Sequence, residues 1–256
     1  MAKEIETQGI VLYNRDYREK DKLVKLFTAN AGKQMLFVKG ANAPRYKNKA
    51  AIQSMSVSAF VLNINENGLS FIKSISETQR FRKIQGDIFL NAYATYLLGL
   101  IDAVLMDREV DQPLFIFLLQ SLRLIEDGMD AEVVTFIFEV QLLSRFGVHI
   151  DFEYCAICGC DNPPFDFSWT HQGVLCRKEA DKSFEMASLN PNVLYFLSLF
   201  TKVNLEKINK ITLKSEMKHD IREFLDLLYD EYVGVHLKSK HFINHMNEWV
   251  NYPPLS

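Results

Sequence analysis

At Lys83 the hydrophobic pattern changes its period, and that change constrains the fold more than any other feature of the 256 residues. From Ile5 to about Ile75 apolar residues come in short runs, Gln8–Tyr13, Lys22–Phe27, Gln34–Val38, Val57–Ile64 and Leu69–Ile75, separated by turn-forming or polar segments. Five short strands of this kind predict a small barrel. The last two are joined by Asn65-Glu66-Asn67-Gly68, where Asn-Gly suits the positive φ of a tight hairpin turn. The link over 39–50 carries Gly40, Pro44, Arg45, Lys47 and Lys49 and predicts an exposed basic loop. Beyond Lys83 the pairs Ile88/Phe89, Ala92/Tyr93, Tyr96/Leu97, Leu100/Ile101 and Val104/Leu105 stack on one helical face. Asp111 and Pro113 open a second helix through Ile125, Gly128 ends it, and Asp130 caps a third to about Phe146. Asn190-Pro191 and Ser215 open two more, towards Thr201 and His236. The expected class is α+β: a five-stranded barrel over 1–80, then a helical domain over 81–256 with a cysteine-bearing insert at 151–182.

Charge divides at the same place. Residues 1–83 hold 15 Lys and Arg against 7 Asp and Glu, whereas the remainder holds 14 against 25. The first part is therefore suited to a polyanion, and the acidic remainder to solubility or protein partners. Arg15, Arg18, Lys20, Lys22 and Lys25, continued by Lys33, Lys39, Arg45, Lys47 and Lys49, are the candidate phosphate contacts. Each cation that neutralises a phosphate releases condensed counterions, which gives affinity without reading sequence. Tyr13, Tyr17, Phe27, Phe37 and Tyr46 lie among them and, if exposed, would stack on unpaired bases. The competing reading makes Phe27 and Phe37 barrel core and the charges a solvated face.

All four cysteines fall between Cys155 and Cys176. Cys155-Ala-Ile-Cys158-Gly159 has the spacing of a zinc knuckle, whose loop amides also donate to the sulfurs. Repeating that spacing from Cys176 places the fourth ligand at Glu179. One structural zinc is expected at Cys155, Cys158 and Cys176, with Cys160 as the fourth ligand and His171 as the alternative. Glu179 ranks below them because a closed site favours thiolate and imidazole, and a metal-free loop is the competing reading. The pair His241 and His245 shares a helical face but lacks the glutamate of a zinc protease, so it points to no catalysis.

The chain has no Gly-x4-Gly-Lys-Ser/Thr loop, no Gly-x-Gly-x-x-Gly, no Gly-x-Ser-x-Gly and no His-x-Glu beside the cysteines, which argues against ATP-driven, hydrolytic or deaminase chemistry. Ile88 to Met106 approaches the length of a membrane span, yet it contains Asp102 and is flanked by Asp87 and Asp107; a buried core helix is expected. Met1-Ala2-Lys3-Glu4-Ile5-Glu6 runs straight into an alternating pattern instead of a basic head and apolar stretch, so a cytoplasmic location is expected.

The series Gly9-Ile-Val-Leu-Tyr-Asn-Arg15-Asp-Tyr-Arg-Glu19-Lys-Asp21, then Leu26-Phe27-Thr28, Gly32 and Lys39-Gly40-Ala41, followed by Cys155, Cys158 and Cys176, resembles the RecO family of recombinational repair mediators over nearly the whole chain. The departure at Glu179 bears only on the zinc site. The resemblance implies an oligonucleotide-binding (OB-like) barrel, binding of single- and double-stranded DNA, and annealing of complementary strands. It also implies help in replacing single-strand-binding protein by RecA, in company with RecR and through the acidic tail of single-strand-binding protein. Arg108, Arg123 and Arg145 are candidate contacts for that tail. The alternative is a zinc-ribbon regulator or scaffold without annealing activity.

Overall fold

The computed structural model describes residues 2–66, 68–182, 185–208 and 210–251. The five apolar runs form β1 (Ala2–Tyr17), β2 (Asp21–Thr28), β3 (Gly32–Val38), β4 (Val57–Asn65) and β5 (Ser70–Gln79). They close into a barrel in the order β1-β2-β3-β5-β4. All ladders are antiparallel except the short parallel seam of β3 with β5, Leu36 opposite Ser70 and Phe37 opposite Phe71. Strand β1 extends well beyond the expected Gln8–Tyr13 because it serves two partners. Residues 2–10 pair with β4 and residues 9–17 with β2, and a bulge between Val11 and Tyr13 bends the strand within the β2 ladder. Its first half alternates, but Gly9, Ile10, Val11 and Leu12, around the change of partner, are buried in succession.

Inside the barrel, Val11, Val24, Leu26, Leu36, Val38, Phe60, Leu62 and Ile64 form the core. The segment between β3 and β4, which begins with the basic link, also contributes Ala41 and Ile52 to this core, with Tyr46 packed against it. It is therefore an anchored plug with an exposed rim, not a free loop. In the hairpin between β4 and β5, Asn67 lies outside the described residues; Asn65 Nδ2 donates to the Leu69 carbonyl at 2.6 Å.

The helices are α1 (Arg82–Gly86), α2 (Ile88–Val104), α3 (Gln112–Asp127), α4 (Ala131–Leu142, continued by a 3-10 turn to Phe146), α5 (Arg177–Ala180), α6 (Pro191–Lys202), α7 (Ser215–Leu228) and α8 (Lys238–Asn251). Between α4 and α5 lies the hairpin of β6 (Phe165–Ser168) and β7 (Gly173–Cys176). Asp87, Asp111, Asp130 and Asn190 each accept hydrogen bonds from first-turn amides, and Pro113 and Pro191 lie in the first turns of α3 and α6. Ser215 does not cap as expected: it is the first helical residue, and Lys214 precedes it without a side-chain cap. The helix also stops short of His236, closing in a π-turn over Tyr229–Val233 before Gly234 at φ 67°.

Two compact units result, residues 1–128 with 237–256, and 129–236. The change of secondary structure near residue 80 is thus not a change of compact unit, because α1, α2, α3 and α8 group with the barrel. Among the described residues no helix is long and apolar enough to cross a membrane. The apolar stretch from Ile88 is α2, with Ala94, Leu97, Leu100 and Ile101 fully buried.

Candidate nucleic-acid interface and cysteine cluster

Arg15, at the end of β1, and Arg18 and Lys20, in the turn that follows, are exposed, and so are Lys39, Arg45, Lys47 and Lys49 on the link between β3 and β4. The backbone stitches the two segments together. The Asn42 amide donates to the Lys20 carbonyl at 3.0 Å, and the Gly40 amide to Asp21 Oδ1 at 2.8 Å. Hydrogen bonds from Lys22 and Asn42 hold the Asp16 carboxyl below its ordinary range. Among the described residues no carboxylate pairs with Arg15, Arg18, Lys20, Lys39, Arg45, Lys47 or Lys49.

Three of the candidate cations are placed differently. Lys22 is partly buried and committed to Asp16 at 2.6 Å. Lys25 and Lys33 are buried, and they are not phosphate contacts in this arrangement. Lys25 meets Asp107 at 2.5 Å, and Lys33 meets Asp102 at 3.1 Å while its backbone carbonyl accepts the Arg108 amide at 2.8 Å. A cation taken out of water needs a partner to offset its desolvation, and the last turn of α2 and the segment after it supply one each. The sequence marks charge but not which face of a strand a helix will cover. Burial, then the Asp102 carboxylate, push the nearby Tyr13 hydroxyl upward.

The aromatic residues also divide. Phe27 is fully buried and meets Phe115 of α3 edge-on at 5.5 Å, and Tyr46 packs on the barrel core. Tyr17 and Phe37 are half-buried with ring centroids 5.9 Å apart. Phe71, which the sequence reading passed over, extends the set at 5.7 Å from Phe37 and is 38% exposed. It stands beside Ile72 and Ile75, which both pack on the core, and the register irregularity between Val61 and Leu62 breaks the alternation of β5, so the sequence carries no clean signal for Phe71.

In the second unit, the four cysteine sulfurs lie within 4.8 Å of one another. A tetrahedral ion with sulfur bonds of about 2.3 Å separates its ligands by about 3.8 Å, and Cys158 and Cys176 stand 3.8 Å apart. The donor set therefore fits one metal ion. Loop geometry produces it: the Gly159 amide bonds the Cys155 carbonyl and the Cys155 amide bonds the Cys160 carbonyl, both at 2.8 Å, with Gly159 at φ 70°. Burial raises the Cys155 thiol, but amides of Cys158, Cys176 and Ile157 donate to it and bring it down to about 7. The Cys160 amide lowers Cys158, yet the neighbouring thiols of Cys160, Cys155 and Cys176 push it up to about 12. His171 is exposed and held by Ser168 at 3.0 Å, and Glu179 bonds Lys182 at 3.1 Å; neither joins the cluster.

Residues 1–81 match the family described as Recombination protein O N terminal, and residues 85–241 match Recombination protein O C terminal. The chain belongs to the RecO family. The DNA repair protein RecO of Streptococcus suis (strain 05ZYH33) is 48% identical over 245 residues, covering 96% of this chain and 94% of that protein. That of Lactococcus lactis subsp. cremoris (strain SK11) is 46% identical over 249 residues, covering 97% and 98%. The RecO-family chain is accordingly a DNA repair protein with a five-stranded barrel, a helical body and a cysteine cluster in that body. Of the three candidate contacts in the helices, Arg108 already donates from Nη2 to the Asn65 and Glu66 carbonyls at 2.9 and 3.1 Å, while Arg123 and Arg145 are exposed.

Proposed function

We propose that this RecO-family chain binds single- and double-stranded DNA through the basic end of its barrel, within residues 1–80, and anneals complementary strands without bond chemistry. The observation that carries this reading is the joined surface of the Arg15–Lys20 turn and the Lys39–Lys49 rim, whose exposed cations have no carboxylate partner among the described residues. Cations so placed exchange condensed counterions for phosphates. A surface that neutralises two strands at once lowers their mutual repulsion and raises their local concentration, which is what annealing requires. Membership of the family extends the reading to a cytoplasmic mediator that works with RecR and the tail of single-strand-binding protein and helps RecA onto coated DNA. Of the candidate tail contacts, Arg123 and Arg145 are exposed, while Arg108 is committed to the barrel hairpin.

One zinc ion is proposed at Cys155, Cys158, Cys160 and Cys176, as a structural clip with no open coordination position for chemistry. The function is tested by annealing of complementary oligonucleotides, bare and coated with single-strand-binding protein. Acceleration on both substrates is expected. Binding without acceleration would reduce the chain to a scaffold.

A further inference from the structure

The outer face of β1, β2 and β3 is used unequally along its length. Near one end, Phe27 packs under α3, Lys33 is engaged by Asp102 in α2 and Lys25 by Asp107 just after it. Towards the other end the register row Arg15–Leu23–Phe37–Phe71 crosses four strands. Register partners share a face, as do residues two apart on one strand, so Arg15, Tyr17, Phe37 and Phe71 all lie on this side of the barrel. Arg15 is exposed, Tyr17 and Phe37 are half-buried, and Phe71 is 38% exposed.

We propose that Tyr17, Phe37 and Phe71 form a base-stacking track that makes the barrel prefer unpaired strands to duplex. The proposal rests on the DNA-binding reading above and adds to it a residue-level basis for strand preference. The rings meet edge to face, at 89° for Tyr17 with Phe37 and 85° for Phe37 with Phe71. Such an array turns some ring faces away from their neighbours, and Phe71 is the most exposed of the three rings. The occupant is fixed by the charge beside the rings. The Arg18 guanidinium lies over the Tyr17 ring at 5.3 Å, Arg15 shares the row, and Lys39 follows β3 by one residue. Apolar rings edged by cations suit a polyanion with exposed π faces, which an unpaired strand is and a duplex, with its bases stacked inside, is not. A base on these rings also holds its strand with the Watson–Crick edge unclaimed by side chains, compatible with pairing to a second strand.

The rival explanation is that cross-strand aromatic pairs only stabilise the sheet. Phe37→Leu with Phe71→Leu in the full chain separates the two, with affinity measured for an oligothymidylate longer than the ~16 nucleotides one such barrel covers and for a duplex of equal length. The proposal expects affinity for the single strand to fall by about tenfold, with duplex affinity and the salt dependence of both unchanged. Equal losses on both substrates, or none, would overturn it. Phe71→Trp guards against a folding artefact, since it keeps an aromatic ring: its fluorescence should be quenched by saturating oligothymidylate, and a signal unaffected by the strand overturns the track. Failure of the underlying DNA-binding reading would show separately, as a salt slope indifferent to removal of Arg15, Arg18 and Lys20.

Discussion

Replacement of Gly32 by alanine should destabilise the first compact unit by about 3 kcal/mol or more. Gly32 opens β3 with φ at 68°, a region that L side chains rarely adopt. An added Cβ would stand 2.2 Å from the Glu109 carbonyl oxygen and 2.5 Å from its carbon. Both are main-chain atoms, so no flexible side chain can give way. The close approach has a purpose, because next to Gly32 the Lys33 carbonyl accepts the Arg108 amide and the Lys33 ammonium reaches Asp102. Displacing that segment would draw Asp107 away from buried Lys25 and Lys33. Gly128→Ala is the matched control: its φ is 97°, but nothing lies within 4 Å of the added carbon. Backbone strain alone should cost it about 1–2 kcal/mol. Urea unfolding of both variants reads the difference; equal losses would mean that the contact with Glu109 does not constrain the barrel.

Metal analysis of protein purified without chelator should give near one zinc per chain, and Cys176→Ser should abolish it. A closed thiolate site contributes on the order of 10 kcal/mol to the segment that it orders, so the local effect is expected to be large. Its extent is limited by packing. Phe167, Val174 and Leu175 are fully buried, and Phe167 lies 5.0 Å from both Trp169 and Phe224. The β6–β7 hairpin therefore has an apolar anchor that the cysteine spacing did not reveal. Loss of metal should open the Cys155–Cys160 loop to protease while the hairpin stays protected and DNA binding by the barrel is retained. A metal-free wild-type chain with a resistant loop over 151–182 would show that packing alone holds the cysteines together.

The barrel was legible because its inward residues repeat at short, regular intervals, and the helices because Asp111, Asp130 and Asn190 stand where caps are needed. The cysteine cluster was legible as chemistry but not as geometry. Ligand chemistry ranks Cys160 ahead of His171 and Glu179, but how the loop brings its sulfur to the other three is decided by the fold. Charge misled at Lys25 and Lys33, since a lysine reads as exposed until a distant carboxylate, here Asp107 or Asp102, is brought to it. Phe71 was hidden for the opposite reason. It joins Phe37 through a parallel seam between strands far apart in sequence, which local periodicity does not reveal.

The salt dependence of DNA affinity, compared between the wild-type chain and the Arg15→Ala, Arg18→Ala, Lys20→Ala variant, tests the basic barrel surface most directly. If each of these exposed side chains neutralises one phosphate, the slope of log affinity against log salt becomes shallower by up to about three units. A variant that binds more weakly with that shallower slope is the expected result. An unchanged slope would place the DNA on another face of the molecule and contradict the assignment.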